Sequence, residues 1–324
     1  MNDRSERLNV ASSPHWRDRS GLAGTHKLWL LALLPAAVAS LWLFGWQSVR
    51  VLGLAVAFSV GLDALAGYVV PSKDKTTNWS SVLMAVIFAF LMPCNAPWWL
   101  ILVGCFIMIV LAKRLFGGVG AYPVHPALLS YAMLLVSWRD RMDYTAALVS
   151  LDWAVKMIEP VRLIKTFGGS AEHFYHWQDL LLGRQVAGIG NGLVLYLVAG
   201  GLFLLLTRKV PWQIPLGFVV GNLGMSGILY LVDPVRYASP PFYLLAGGTV
   251  FAAFFLATEY TTSPVNRIPM LIYGFLGGVL LILIRAFSAY TDGIVFTVLL
   301  INLCSPLLDR IRPRVYGVKA VQNA

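Results

Sequence analysis

The run Lys113-Arg-Leu-Phe-Gly117-Gly118-Val-Gly120-Ala-Tyr122-Pro123-Val-His125-Pro126 joins two apolar stretches, with cations at one end and an imidazole at the other. Its glycines and prolines cannot continue a helix. Glycine lets backbone pass close to a flat or charged ligand. Lys113, Gly117, Gly118, Gly120, His125 and Pro126 are therefore a candidate cradle for a cofactor or an ion, and a tight turn between two spans is the plainer reading of the same spacing. A second run, Thr258-Glu259-Tyr260-Thr261-Thr262-Ser263-Pro264, is dense in hydroxyls that can hold a phosphate, the edge of a ring cofactor or a desolvated ion. As a plain loop it would be polar as well. Asp63 lies within an apolar run, where a carboxylate is costly and faces a cavity or a partner unless it reaches the interface. Asn302, in the last apolar run, needs a hydrogen-bond partner. These two are the candidates for an ion pathway.

The elements that must position these groups are membrane helices. The 324 residues are 58% hydrophobic and 12% charged, with a mean hydropathy of +0.71. A soluble domain carries about 25% charged residues. Half that figure with repeated apolar runs predicts an all-α polytopic membrane protein. Residues 1–26 are polar and hold four arginines before any apolar run, unlike a signal peptide. Ten apolar segments follow, at 28–46, 49–70, 81–92, 98–112, 126–138, 191–207, 213–232, 242–257, 269–287 and 293–308. The third and fifth are too short to cross squarely and read as broken helices. With the amino terminus inside, sixteen cations fall on cytoplasmic pieces and three, Arg50, Arg236 and Arg285, on short outer ones. That bias favours ten spans with both termini cytoplasmic. It also makes the net charge of +10 a matter of membrane orientation, not of nucleic-acid binding.

Residues 84–97 and 251–264 match with a one-residue slip, each an apolar run breaking into a proline-ended turn. This suggests two inverted five-helix repeats, 27–138 and 191–309, separated by an outer region at 139–190 and flanked by cytoplasmic segments 1–26 and 310–324. Within the outer region, 143–163 has near-helical spacing suited to the membrane surface. His173 and His176 have metal-like spacing but no clear third ligand, so an interfacial loop is favoured and no metal is assigned. Arg285 and Asp292 flank the loop before the last span, and an exposed pair there would contribute little. Three cysteines without a CxxC pair make a disulfide framework improbable. They cannot ligate an iron–sulfur cluster on this chain alone.

Several pieces in order resemble the D-type membrane component of Rnf electron-transport complexes, related to the B-type component of sodium-pumping NADH:quinone reductase. They are Ser13-Pro-His15 with Arg19-Ser-Gly21, Ala96-Pro-Trp-Trp99 before the glycine turn, Trp212-Gln-Ile-Pro215 with Gly217, the Thr258–Pro264 run, and Tyr290-Thr-Asp-Gly293 with Asn302 and Pro306-Leu-Leu-Asp309. The resemblance implies a membrane subunit of a redox complex in the bacterial inner membrane. Such a complex couples ferredoxin:NAD or NADH:quinone electron transfer to Na+ or H+ movement, beside iron–sulfur and flavin subunits. It places Thr258, Glu259, Thr261, Thr262 and Asp292 with the glycine turn as cofactor-binding candidates.

Most members carry FMN through phosphate on a threonine of a Ser-Gly-Ala-Thr-Pro motif in the outer region. Here Glu159 stands at the threonine position before Pro160. A carboxylate cannot form that phosphoester and repels phosphate, so no covalent FMN is expected. A noncovalent flavin, FMN or riboflavin, between the two turns is the remaining cofactor expectation. His125 replaces the usual asparagine, bringing a titratable group or a neutral hydrogen-bonding substitute. A cofactor-free anchor or ion-conducting subunit is the alternative.

Overall fold

The computed structural model describes residues 21–69, 77–144 and 158–311. All ten apolar segments are helical over most of their described length, and no strand occurs among the described residues. The chain is an all-α polytopic membrane protein. Four helices are long and apolar enough to cross a membrane: α1 (Gly21–Phe44), α2 (Trp46–Val69), α9 (Gln213–Val232) and α12 (Arg267–Phe287). Four shorter apolar helices pack among them: α3 (Thr77–Leu91), α5 (Pro126–Ser137), α8 (Val194–Leu206) and α13 (Ile294–Leu308). α4 (Trp98–Phe106) continues as a π-helix over Ile107–Arg114. Helix α1 takes in the last six residues of the polar segment read over 1–26, burying His26.

The second and fourth helices of each half pack together, α2 on α4 and α9 on α12. The α9–α12 contact is the closest in the molecule and has a sequence cause. Gly217 and Gly221 on α9 face Gly274 and Gly278 on α12, two small-xxx-small pairs. A Cβ at Gly221 would stand 2.2 Å from the Phe275 carbonyl oxygen, and one at Gly278 would stand 2.1 Å from that of Phe218. The two backbones touch, and dispersion between them replaces the hydrophobic drive that lipid cannot supply.

The breaks fall partly where expected. Helix α3 ends at Leu91 before Pro93, and its freed carbonyls are met from outside the helix. The N–H of Ile189 reaches the Met92 oxygen at 3.0 Å, and those of Gly190 and Asn191 reach Phe90 at 3.1 and 3.2 Å. Unwound backbone at this depth survives because protein satisfies it. The eighth segment, continuous over 242–257 by its sequence, is instead interrupted. α10 (Pro240–Leu245) stops, and α11 (Thr249–Phe251) restarts and runs into a second π-helix at Ala252–Leu256. Gly247 takes φ +62°, and a Cβ there would lie 3.0 Å from the Arg285 guanidinium and 3.1 Å from Asp292. The cause is therefore distant in sequence. Arg285 donates to the carbonyls of Tyr243 (3.0 Å) and Ala246 (3.2 Å) and to Thr249 Oγ1 (2.8 Å), while Asp292 Oδ2 accepts from Gly248 N–H at 3.2 Å.

Between α5 and α8, α6 (Pro160–Phe167) is amphipathic and lies beside a turn of 3-10 helix at Gly169–Phe174 and the short α7 (Trp177–Leu182). Most of the surface helix expected over 143–163 falls outside the described residues. His173 sits in the 3-10 turn and His176 precedes α7. The described residues contain no cluster of three His, Cys, Asp or Glu side chains able to hold a metal.

Candidate functional site

Two unwound turns meet in the interior, one from each half of the chain. Tyr122 donates to Glu259 Oε1 at 2.7 Å across 137 positions of sequence, and both are buried. The Thr262 backbone N–H and hydroxyl hold Glu259 Oε2 at 3.2 and 3.0 Å, and Thr261 Oγ1 donates to the Tyr122 hydroxyl at 3.1 Å. His26 Nε2 lies 2.7 Å from the Tyr260 hydroxyl. His125 precedes Pro126 at the start of α5 and is 1% exposed, with neither ring nitrogen hydrogen-bonded. With its amide turned to satisfy both ends, Asn302 donates to the Tyr273 hydroxyl and the Val298 carbonyl and accepts from the His125 backbone N–H at 3.2 Å. That gives Asn302 the partner its depth requires and pins the turn to α12 and α13.

The glycine turn owes its residues to backbone conformation. Gly117, Gly118 and Gly120 have φ of +105°, +101° and +95°, a region L side chains rarely adopt. A Cβ at Gly120 would meet nothing within 4 Å, and one at Gly117 would make only an ordinary contact with Ala121. Their positive φ by itself accounts for glycine at these positions.

The sequence assigns Lys113 and Asp63 to separate sites, a cofactor cradle and an ion pathway; the structure joins them. Asp63 Oδ1 accepts from Arg114 Nε at 2.7 Å, and Oδ2 accepts from Ser81 Oγ at 2.6 Å and from Lys113 Nζ at 3.5 Å. Lys113 also donates to Ser80 and Ser81 at 2.8 and 2.7 Å. The π-helical turn brings consecutive cations Lys113 and Arg114 onto one carboxylate of α2. They are interior ion-pair members, not free loop charges. Thr258 bonds back to the Phe254 carbonyl at 2.6 Å and takes no part in the meeting of the turns.

Arg285 and Asp292 pair at 2.8 Å, with side chains 0% and 8% exposed. The weak surface pair anticipated from sequence is a buried clasp on the α10–α11 break. Asp292 thus stands apart from the inner turns, beside Glu159. Glu159 precedes α6 and is buried. Burial pushes its carboxyl up to about 7, the Asp292 charge adds to the rise, and Thr291 and Arg285 oppose it. Both carboxylates line a cavity of about 540 Å³ with Tyr131, Tyr144 and Tyr290.

The cavity between the inner turns has about 10 Å³ open to the centre of a water molecule. That is room for about one water, and the residues as packed do not fit a flavin ring there. His26, Tyr260 and Tyr273 join the site without a clear mark in the sequence. Only the interior position of His26 at the start of an apolar run hints at one of them. Cys94 and Cys105 are buried and Cys304 is partly so.

The comparisons with known proteins agree with this architecture. The model of the NQR2, RnfD, RnfE family matches residues 9–317. The D component of the ion-translocating oxidoreductase complex of Alcanivorax borkumensis is 34% identical over 97% of this chain and 98% of its own length. The D component of the Na(+)-translocating ferredoxin:NAD(+) oxidoreductase complex of Acetobacterium woodii is 32% identical over 98% and 97%. Its counterpart in the ion-translocating oxidoreductase complex of Aeromonas salmonicida is 33% identical over 96% and 99%. A match spanning nearly the whole sequence, with relatives of equal extent, makes this chain a member of the NQR2, RnfD, RnfE family.

Proposed function

We propose that this chain is the membrane-embedded subunit of an Rnf-like complex that uses electron transfer to drive ion movement. It acts with iron–sulfur and flavin subunits in the bacterial inner membrane, with both termini cytoplasmic. The observation that carries the reading is the Tyr122–Glu259 hydrogen bond, which ties a turn of one half to a turn of the other. Two halves of inverted topology, hinged at paired unwound segments, can rock so that a site between them faces one side and then the other. Glu259 supplies the interior negative charge, and Tyr122, Thr261 and Thr262 hold it in place. In vesicles carrying the assembled complex, Glu259→Gln is expected to lower the number of ions moved per electron passed by about tenfold or more. An unchanged ratio would refute the assignment.

No covalent flavin belongs to this reading, because Glu159 stands where the phosphoester would form. Acid precipitation of the purified chain is expected to leave its pellet free of flavin. An acid-stable yellow pellet would show an attachment at another residue. The second reading is a cofactor-free anchor or ion-conducting subunit of the same kind of complex. The narrow space between the turns favours it over a redox carrier at that place.

A further inference from the structure

We propose that His125, His26 and Glu259 hold one water-borne proton between the two turns, so that the ion handled by this chain is H+ and not Na+. The inference rests on the coupling role proposed above and names its ion.

Size and chemistry both point this way. The cavity between the turns accommodates about one water. His125 lines it with both ring nitrogens unpartnered, and the Nδ1 of His26, itself 2% exposed, is unpartnered as well. A buried imidazole with no protein partner at either nitrogen is destabilised unless something polar fills the gap. A water between His125 and His26 supplies that partner, and a proton on it passes to either ring.

A sodium ion at the same place finds few donors. Hard cations take several oxygen ligands, whereas imidazole suits softer metals. Both carboxylate oxygens of Glu259 already accept hydrogen bonds, Oε1 from Tyr122 and Oε2 from Thr262. The Ser80 oxygen accepts from Lys113 at 2.8 Å. The Tyr260 hydroxyl is already 2.7 Å from His26 Nε2, and beyond the two imidazoles and the Tyr122 phenol the rest of the lining is aliphatic, thioether or indole.

The step is a proton transfer alone. The imidazole lone pair of His125 takes a proton from hydronium and leaves water, and the imidazolium is offset by the Glu259 carboxylate. The groups facing the two imidazoles are Glu259 and Tyr260 from the turn after α11, Tyr122 from the glycine turn, and Lys113 from the end of α4. The Glu259 carboxylate belongs to one turn and the His125 imidazole to the other, so loading depends on the turns staying together. Separating them removes the carboxylate and releases the proton.

The test uses His125→Asn. Asparagine is a favoured residue ahead of a helix, so α5 keeps its start, and an amide cannot carry the proton. In vesicles of the assembled complex in sodium-free potassium buffer, a pH-sensitive dye is expected to report redox-driven proton movement by the wild type. The variant is expected to lose about tenfold or more of it. Proton movement by the variant equal to wild type, or a wild type that works only with sodium, overturns the proposal. A second measurement needs no partner. In the purified full chain labelled at histidine nitrogen, magnetic resonance should show an imidazole that titrates and is missing from His125→Asn, with no change when sodium replaces potassium. Absence of that signal, or its displacement by sodium, overturns the proposal as well. A complex that moves no ion of any kind refutes the coupling role instead, and the titrating imidazole then decides the proton site on its own.

Discussion

Asp63→Asn is expected to cost about 3–5 kcal/mol, the penalty for removing one partner of a buried ion pair. The substitution keeps the shape of the side chain and removes its charge. Arg114 loses the carboxylate it meets at 2.7 Å, and Lys113 loses its counter-ion 3.5 Å away, while both stay buried. A single domain has about 5–15 kcal/mol in all, so this is a large share. In detergent, the variant should unfold at much lower temperature than the wild type and accumulate poorly in membranes. The companion Asp63→Glu, which keeps the charge, should recover part of the loss. If Asp63→Asn melts with the wild type, the three groups do not form the interior pair described. The effect is large because the π-helix delivers two cations to one acid.

The second large effect lies in the glycine seam. Gly221→Ala is expected to destabilise by about 3 kcal/mol, the upper part of the overpacking range. The added methyl meets the backbone oxygen of Phe275 at 2.2 Å, and backbone yields less readily than a side chain. Gly224, one turn further along α9, is the internal control, since a Cβ there meets nothing within 4 Å. Gly224→Ala should be neutral or stabilising by about 0.5–1 kcal/mol, because alanine orders a helix at lower entropic cost than glycine. Opposite signs from two identical substitutions three residues apart cannot arise from glycine content alone. Equal melting temperatures for the two variants would mean that α9 and α12 do not touch through Gly221.

Much of this architecture is legible in one dimension, and the reason is local. Burial in lipid is written as runs of apolar residues, so all ten segments can be read off. The ends near Pro93 and Pro126 can be read as well, because proline stops a helix by its own covalent geometry. The small-xxx-small spacing of Gly217-Phe-Val-Val-Gly221 and Gly274-Phe-Leu-Gly-Gly278 is also present in the sequence, but that the two stretches pair is shown only by the fold.

What escapes the sequence depends on which helices become neighbours. The interruption at Gly247 is enforced by Arg285, 38 positions away, and the eighth segment looks continuous without it. Lys113 looks like a ligand of the glycine turn because it is adjacent in sequence, yet it is turned towards Asp63 on α2. The turn residues are recognisable as special, but their mutual contact is not. Tyr122 is inconspicuous beside its glycines, and its meaning comes from Glu259 in the other half.

The central claim is that the two interior turns act as one unit in coupling. It is tested most directly by a double-mutant cycle on ions moved per electron passed, with Tyr122→Phe, Glu259→Gln and both together in vesicles of the assembled complex. The account predicts that each single change lowers the ratio, with electron transfer continuing, and that the double variant is no worse than Glu259→Gln alone. Losses that simply multiply, or a ratio unchanged in Glu259→Gln, would contradict it.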